Sequence, residues 1–131
     1  MNTASRDCFR QGLDEFNNEC FFEAHEAWEE IWLASEEPQK RFLQGIIQIA
    51  AAFHHYQRGN RRGARSLLEA GLRRVEGFAA DHCGIELEEL RRAGGEWAIA
   101  LQEERDLDRK QFPKIQMAHG YERGNGLPGA D

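Results

Sequence analysis

Apolar positions recur with a helical period along most of the chain. Phe9, Leu13 and Phe16 share one face of a segment running from about Ser5 to Phe16, which Asn17 and Asn18 break. A second helix is expected from about Cys20 to Ala34. Pro38, after the Ser35-Glu36-Glu37 turn, opens the approach to a third, from about Gln39 to Arg58. In that third helix Phe42, Ile46, Ile49, Ala50 and Phe53 form one stripe, and Leu43, Ile47 and His54 form a second beside it. A helix apolar on two sides belongs at the centre of its bundle. Gly59 suits a C′ position and Asn60 an N-cap. A fourth helix should therefore follow, with Ala64, Leu67, Leu68, Gly71, Leu72, Val75 and Phe78 inward.

After Gly84 a shorter helix is expected around Ile85, Leu87 and Leu90. Gly94-Gly95 should interrupt it before a last helical piece at Trp97 and Leu101. Phe112-Pro113-Lys114-Ile115 reads as an extended strap over the bundle. β-branched residues are few and no stretch alternates with period two. The expected fold is all-α: a compact bundle of about five helices with an antiparallel helix hairpin at its centre and an extended C-terminal tail. Residues 1–118 read as a single domain, and residues 119–131, with four glycines, as a disordered tail. The hairpin matches one tetratricopeptide-like unit, but no second copy lies 34 residues away, so a solenoid is not implied.

Composition narrows the class. The 131 residues are 40% hydrophobic and 31% charged, enough for a core and too polar for a membrane protein. The most apolar run, Gly45 to Phe53, falls far short of the roughly 20 residues a membrane helix needs. A net charge of −6 argues against bulk nucleic-acid binding. That total hides a pattern: net −8 over residues 1–37, +6 over 38–80 and −4 over 81–131. Either the acidic and basic segments lie against each other in the fold, or the middle segment holds a local anion site. Cys8, Cys20 and Cys83 are odd in number, lack a C-x-x-C pair and read as buried thiols of a cytoplasmic protein.

The densest chemical signal is Phe21-Phe22-Glu23-Ala24-His25-Glu26-Ala27-Trp28-Glu29-Glu30-Ile31-Trp32. At about 100° per residue, Phe21, Phe22, Trp28 and Trp32 surround His25, and Glu29 lies one turn on. Glu26 falls on the border, so His25 and Glu29 are the two polar groups the pattern turns inward. Such a pair is either a satisfied core contact or an acid–base or metal-binding pair. His25-Glu26-x-x-Glu29 resembles half a zincin motif, but Glu stands where its second histidine belongs, which removes a zinc ligand. Gln44, Gln48 and His55 share one face of the third helix and, with Trp32, line a candidate cleft facing His25. His54 is expected buried between Leu43 and Ile47. Arg58, Asn60, Arg61 and Arg62, followed by Arg65, surround the start of the fourth helix. A small anionic ligand could be held there.

Together these residues resemble the family catalogued as domain of unknown function 309. The resemblance rests on Phe16-Asn17, Phe22-Glu23-Ala24-His25-Glu26 with Trp28 and Trp32, Phe42 through Gln48, and Arg58-Gly59-Asn60 with Gly63-Ala64. It covers about residues 9 to 80. It implies a compact all-α fold and supplies no activity, cofactor or metal. His25, Glu26, Trp32, Gln44 and Asn60 are the positions it marks. Two functional readings follow from the residues. The first is a binding or assembly module with a buried His–Glu cluster, acting on a protein partner or on a second copy of itself. The alternative is a small hydrolase using His25 with Glu29 or Glu26, with or without a metal ion.

Overall fold

A computed structural model describes residues 1–118; the expected tail, 119–131, lies outside the described residues. Five α-helices follow in order: α1 (Thr3–Asn17), α2 (Phe21–Leu33), α3 (Gln39–Gln57), α4 (Arg61–Val75) and α5 (Leu87–Gln102). Short 3-10 turns lie at His82–Gly84 and Arg109–Gln111. Among the described residues the only β pairing is an isolated antiparallel bridge between Ile85 and Met117.

The expected central hairpin is α3 with α4. Gly45 and Gly71 meet there: a Cβ on Gly71 would stand 2.7 Å from the Gly45 carbonyl oxygen, and one on Gly45 2.6 Å from Val75. Only bare backbone permits that approach. Asn60 organises the turn between the two helices. Its N–H donates to His55 O and the Gly59 N–H to Tyr56 O, with Gly59 at φ 82, which is the Schellman closure. Its side-chain Oδ1 accepts from the Gly63 N–H and so caps α4. Glycine also seats α1 on α2. The Trp28 ring lies against Gly12, and its Nε1 donates to Phe9 O at 3.1 Å.

The core is aromatic. Phe16, Phe21, Phe42, Phe53, Trp28 and Trp97 are all essentially inaccessible. The strap seals it: Phe112 stacks on Trp97 at 4.9 Å and meets Phe21 and Phe53 edge-on. The strap is held by Asn17, whose Nδ2 donates to Ile115 O at 2.9 Å while its Oδ1 accepts from Ile115 N–H at 2.7 Å. The side-chain amide thus pairs like a strand across 98 positions of sequence.

Three expectations are corrected. Gly94-Gly95 does not interrupt a helix; α5 runs unbroken from Leu87 to Gln102. Gly94 is buried where α5 crosses Leu72 of α4, so packing outweighs glycine's cost of roughly 1 kcal/mol in a helix. Ile85 lies before α5, in the bridge to Met117. The cysteines are not all buried: Cys20 is exposed, and Cys8 and Cys83 are half-buried. The glycines therefore predict opposite responses. Gly71→Ala should lower stability by about 2–3 kcal/mol, because its Cβ meets backbone that cannot yield. Gly95→Ala, which meets nothing within 4 Å, should raise it by about 0.5–1 kcal/mol. Urea unfolding of the two variants checks the contrast.

Candidate functional site

The layer α2–α3–α4 presents one face away from α1, α5 and the strap, and α3 forms its centre. From Phe42 to Gln57 the chain has sixteen residues without an acidic or basic side chain other than histidine. Half of that run is core. The outward half, comprising Gln44, Gln48, Ala51, His54 and His55, is only partly covered yet still carries no Asp, Glu, Lys or Arg.

Phe22, 44% exposed, forms the α2 edge of this face. Its ring stacks on His25 at 5.8 Å and leans on His54 at 5.3 Å, and His54 lies 6.0 Å from His55. At the other end of the α2–α3 seam, the Lys40 ammonium sits 4.7 Å over the Trp32 ring. His25 Nδ1 and Trp32 Nε1 are buried and have no hydrogen-bond partner among the described residues. On the α4 edge, Arg74 Nε donates to Gln48 Oε1 at 3.0 Å, and Asn60 Nδ2 lies 3.0 Å from His55 Nδ1. The pKa of His54 is lowered by burial first, then by Arg58 and His55, with Glu23 opposing.

The inward His–Glu pair does not form. Glu29 and Glu26 are both exposed, and no hydrogen bond joins either to His25. The buried stripe of α2 is Phe21, Ala24, Ala27, Trp28 and Ile31, which turns its centre away from His25. Large aromatics at Phe22 and Trp32 pull the helical wheel toward His25. In the fold, however, the small Ala24 and Ala27 are what let α2 close on α1, where Cys8 Sγ donates to Ala27 O at 3.0 Å. His25, Trp32, Gln44, Gln48, His54 and His55 are each only partly covered, and ring contacts join His25, through Phe22, to His54 and His55.

At the arginine turn, Arg61, Arg65 and the Gly63 N–H are engaged by groups of the protein itself. Arg61 is held by the Asp106 carboxylate and Arg105 O, and its ring contact is with Tyr56. Arg65 pairs with Glu69. The Gly63 N–H that an anion would use is capped by Asn60. Arg61, Arg62 and Arg65 line a cavity of about 560 Å³ that also holds Glu104 and Asp106, so its charges largely cancel. Among the described residues no group of three or more His, Cys, Asp or Glu is placed to hold a metal ion. Nor is any helix there long and apolar enough to cross a membrane.

One cluster had no signal in the sequence. Gln39 Nε2 donates to Cys83 Sγ at 3.0 Å, and its Oε1 accepts from His82 Nε2 at 2.8 Å, with the His82 ring packed on Phe42 and Phe78. No periodicity marks Ala79 to Gly84, so nothing ties this segment to α3 in advance. Burial raises the pKa of Cys83 and lowers that of His82, which suits a structural clasp rather than a nucleophile.

Comparison with known proteins agrees with the resemblance. Residues 9–67 match the profile of the family described as "Domain of unknown function (DUF309)". The match runs from Phe9 of α1 to Leu67 of α4, so it contains α2 and α3 whole. A Bacillus subtilis (strain 168) protein called "Uncharacterized protein YpuF" is 40% identical over 72 residues, 47% of this chain and 40% of that one. An Aquifex aeolicus (strain VF5) protein called "Uncharacterized protein" is 31% identical over 77 residues, 58% of this chain and 23% of that one. The chain thus spans less than half the length of either relative.

The clasp predicts a pH dependence. His82 and His54 have pKa values below the ordinary 6.5 in the folded state. The unfolded chain therefore takes up protons first as pH falls. Their contribution is fully present above about pH 6.5 and is lost progressively as pH drops below it. Thermal midpoints should fall between about pH 7.5 and 5.5, and the fall should shrink in His82→Gln. Differential scanning calorimetry reads both.

Proposed function

We propose that this protein is a non-catalytic helical recognition module whose binding surface is the α2–α3 face. The observation that carries this reading is the outward half of α3: Gln44, Gln48, Ala51, His54 and His55 stay half-covered and uncharged in a chain that is 31% charged. A solvated helix face ordinarily collects charges. A face that presents amides, imidazoles and small side chains, with Phe22 at its edge, suits a partner that excludes water from it. Trp32 stiffened by Lys40 and His25 stacked on Phe22 give that surface fixed shape.

The hydrolase reading has less support. A general acid–base pair needs its groups within hydrogen-bond reach, and among the described residues His25 Nδ1 has no hydrogen-bond partner while Glu26 and Glu29 are exposed. The anion reading at the arginine turn is weakened by the engagement of Arg61 and Arg65 with acidic side chains. A reducing, cytoplasmic setting is part of the proposal, supported by three free thiols.

A photo-cross-linking side chain in place of Gln48 should yield a discrete adduct in cells, while one in place of Arg92 on α5 should yield none. Ala51→Arg should abolish the Gln48 adduct with the thermal midpoint unchanged. Equal labelling from both positions, or none from Gln48, would refute the recognition face.

A further inference from the structure

We propose that the occupant of this face is a second copy of the same chain, packed about a twofold axis parallel to α3, so that α2 of each protomer lies over α4 of the other. This rests on the recognition-face reading above and names its partner.

The first support is charge that the fold leaves unanswered. The acidic segment 1–37 and the basic segment 38–80 do not neutralise each other internally. Among the described residues the ion pairs are local, apart from Arg61–Asp106 and Arg109–Glu19, and none joins an acidic side chain of the first segment to a basic one of the second. Glu26 and Glu29 stand exposed on α2. Across the uncharged strip, Arg74 leans on Gln48, and Arg41 donates to the carbonyl of the exposed Arg73. None of these five groups has an ion-pair partner among the described residues. The face is therefore sorted, with acid on one edge and base on the other.

The second support is how symmetry acts on such a face. A twofold axis across the helices would set α2 against α2 and repeat like charges. An axis along α3 sets the acidic edge over the basic edge, twice, and preserves height along α3. Phe22 lies level with His54 and Trp32 with Lys40, so Glu29 is level with about Gln44. Arg74 is level with about Gly45, whose added Cβ would stand 3.1 Å from the Arg74 Cβ. The same operation that pairs the edges thus brings Glu29 of one copy over Arg74 of the other. The central strip contributes small and amide side chains, Ala51 and Gln48, which let two α3 helices approach.

The third support is size. At 1.5 Å per residue the 19-residue α3 is about 28 Å long. Three helices spaced about 8–10 Å apart make a layer about 25 Å wide. The product, about 700 Å² per partner, is close to the roughly 800 Å² of a standard specific interface.

Sedimentation equilibrium of the full chain from about 1 to 100 μM should show twice the monomer mass at the upper end. Because charges flank the contact, raising salt from about 50 to 500 mM should weaken association at least about tenfold. Glu29→Arg and Arg74→Glu should each give monomers, and an equal mixture of the two should restore a mixed dimer. A mixture of Glu29→Cys and Arg74→Cys chains should form an intermolecular disulfide between those positions, mapped by peptide analysis, that neither gives alone. Ala51→Arg should give a folded monomer by circular dichroism. A wild-type monomer at 100 μM, a dimer that survives Ala51→Arg, or a mixture that does not reassociate would overturn the proposal. If the wild type is monomeric while the Gln48 cross-linker still gives an adduct sensitive to Ala51→Arg, the face stands and the second copy is the wrong occupant. If both fail, both readings fall.

Discussion

The close approach of Gly45 to Gly71 sets the geometry of the whole bundle. With the α3 and α4 backbones in contact, the side chains flanking the glycines are pushed to either side of the seam. Ile49 and Val75 go inward, and Arg74 goes outward onto Gln48. A pair of larger residues there would hold α4 away from α3 and open the uncharged strip to water along its length. The same contact fixes α3 as the middle of a three-helix layer. That leaves it one face for the aromatic core beneath and one face for the outside.

The division between those two faces explains how far the sequence could be read. Long stripes of large side chains, such as Phe42, Ile46, Ile49 and Phe53, announce a buried surface whatever the neighbours are. Gly59 with Asn60 announces a turn, because few other residues accept that backbone. Elsewhere the chain uses the same closure without the usual residue. α1 and α5 end through Glu19 and Glu104, each at positive φ, with Cys20 N–H donating to Glu15 O and Arg105 N–H to Ala100 O. Glutamate at such a position carries no signal in a lone sequence.

Helix α2 shows a different limit. Its wheel is read by weight of hydrophobicity, and Phe22 and Trp32 outweigh Ala24 and Ala27. Helices in contact choose faces by fit, and an alanine that admits a neighbouring backbone can define the core better than a phenylalanine that cannot. Hydrophobic weight alone therefore predicts His25 and Glu29 inward. The grouping of Phe22, His25, Trp32, Gln44, Gln48 and His55 rests on a different basis. That grouping depends only on which residues share an edge of α2 or α3, not on how deep the edge lies.

The Asn17–Ile115 pairing has a consequence for how the molecule is made. The aromatic centre of α1, α2 and α3 comes off the ribosome within the first half of the chain, but Phe112 and Ile115 complete its cover only near residue 115. Until residues 112–115 emerge, the rings of Phe21 and Phe53 lack the strap that seals them, and the Asn17 amide lacks its pairing with Ile115. Contacts that close over such a span form late and slowly. The nascent helices must spend that interval with exposed aromatic surface, a condition under which a chaperone or a neighbouring chain can engage them. The strap from Phe112 to Ile115 is the segment that ends that vulnerability.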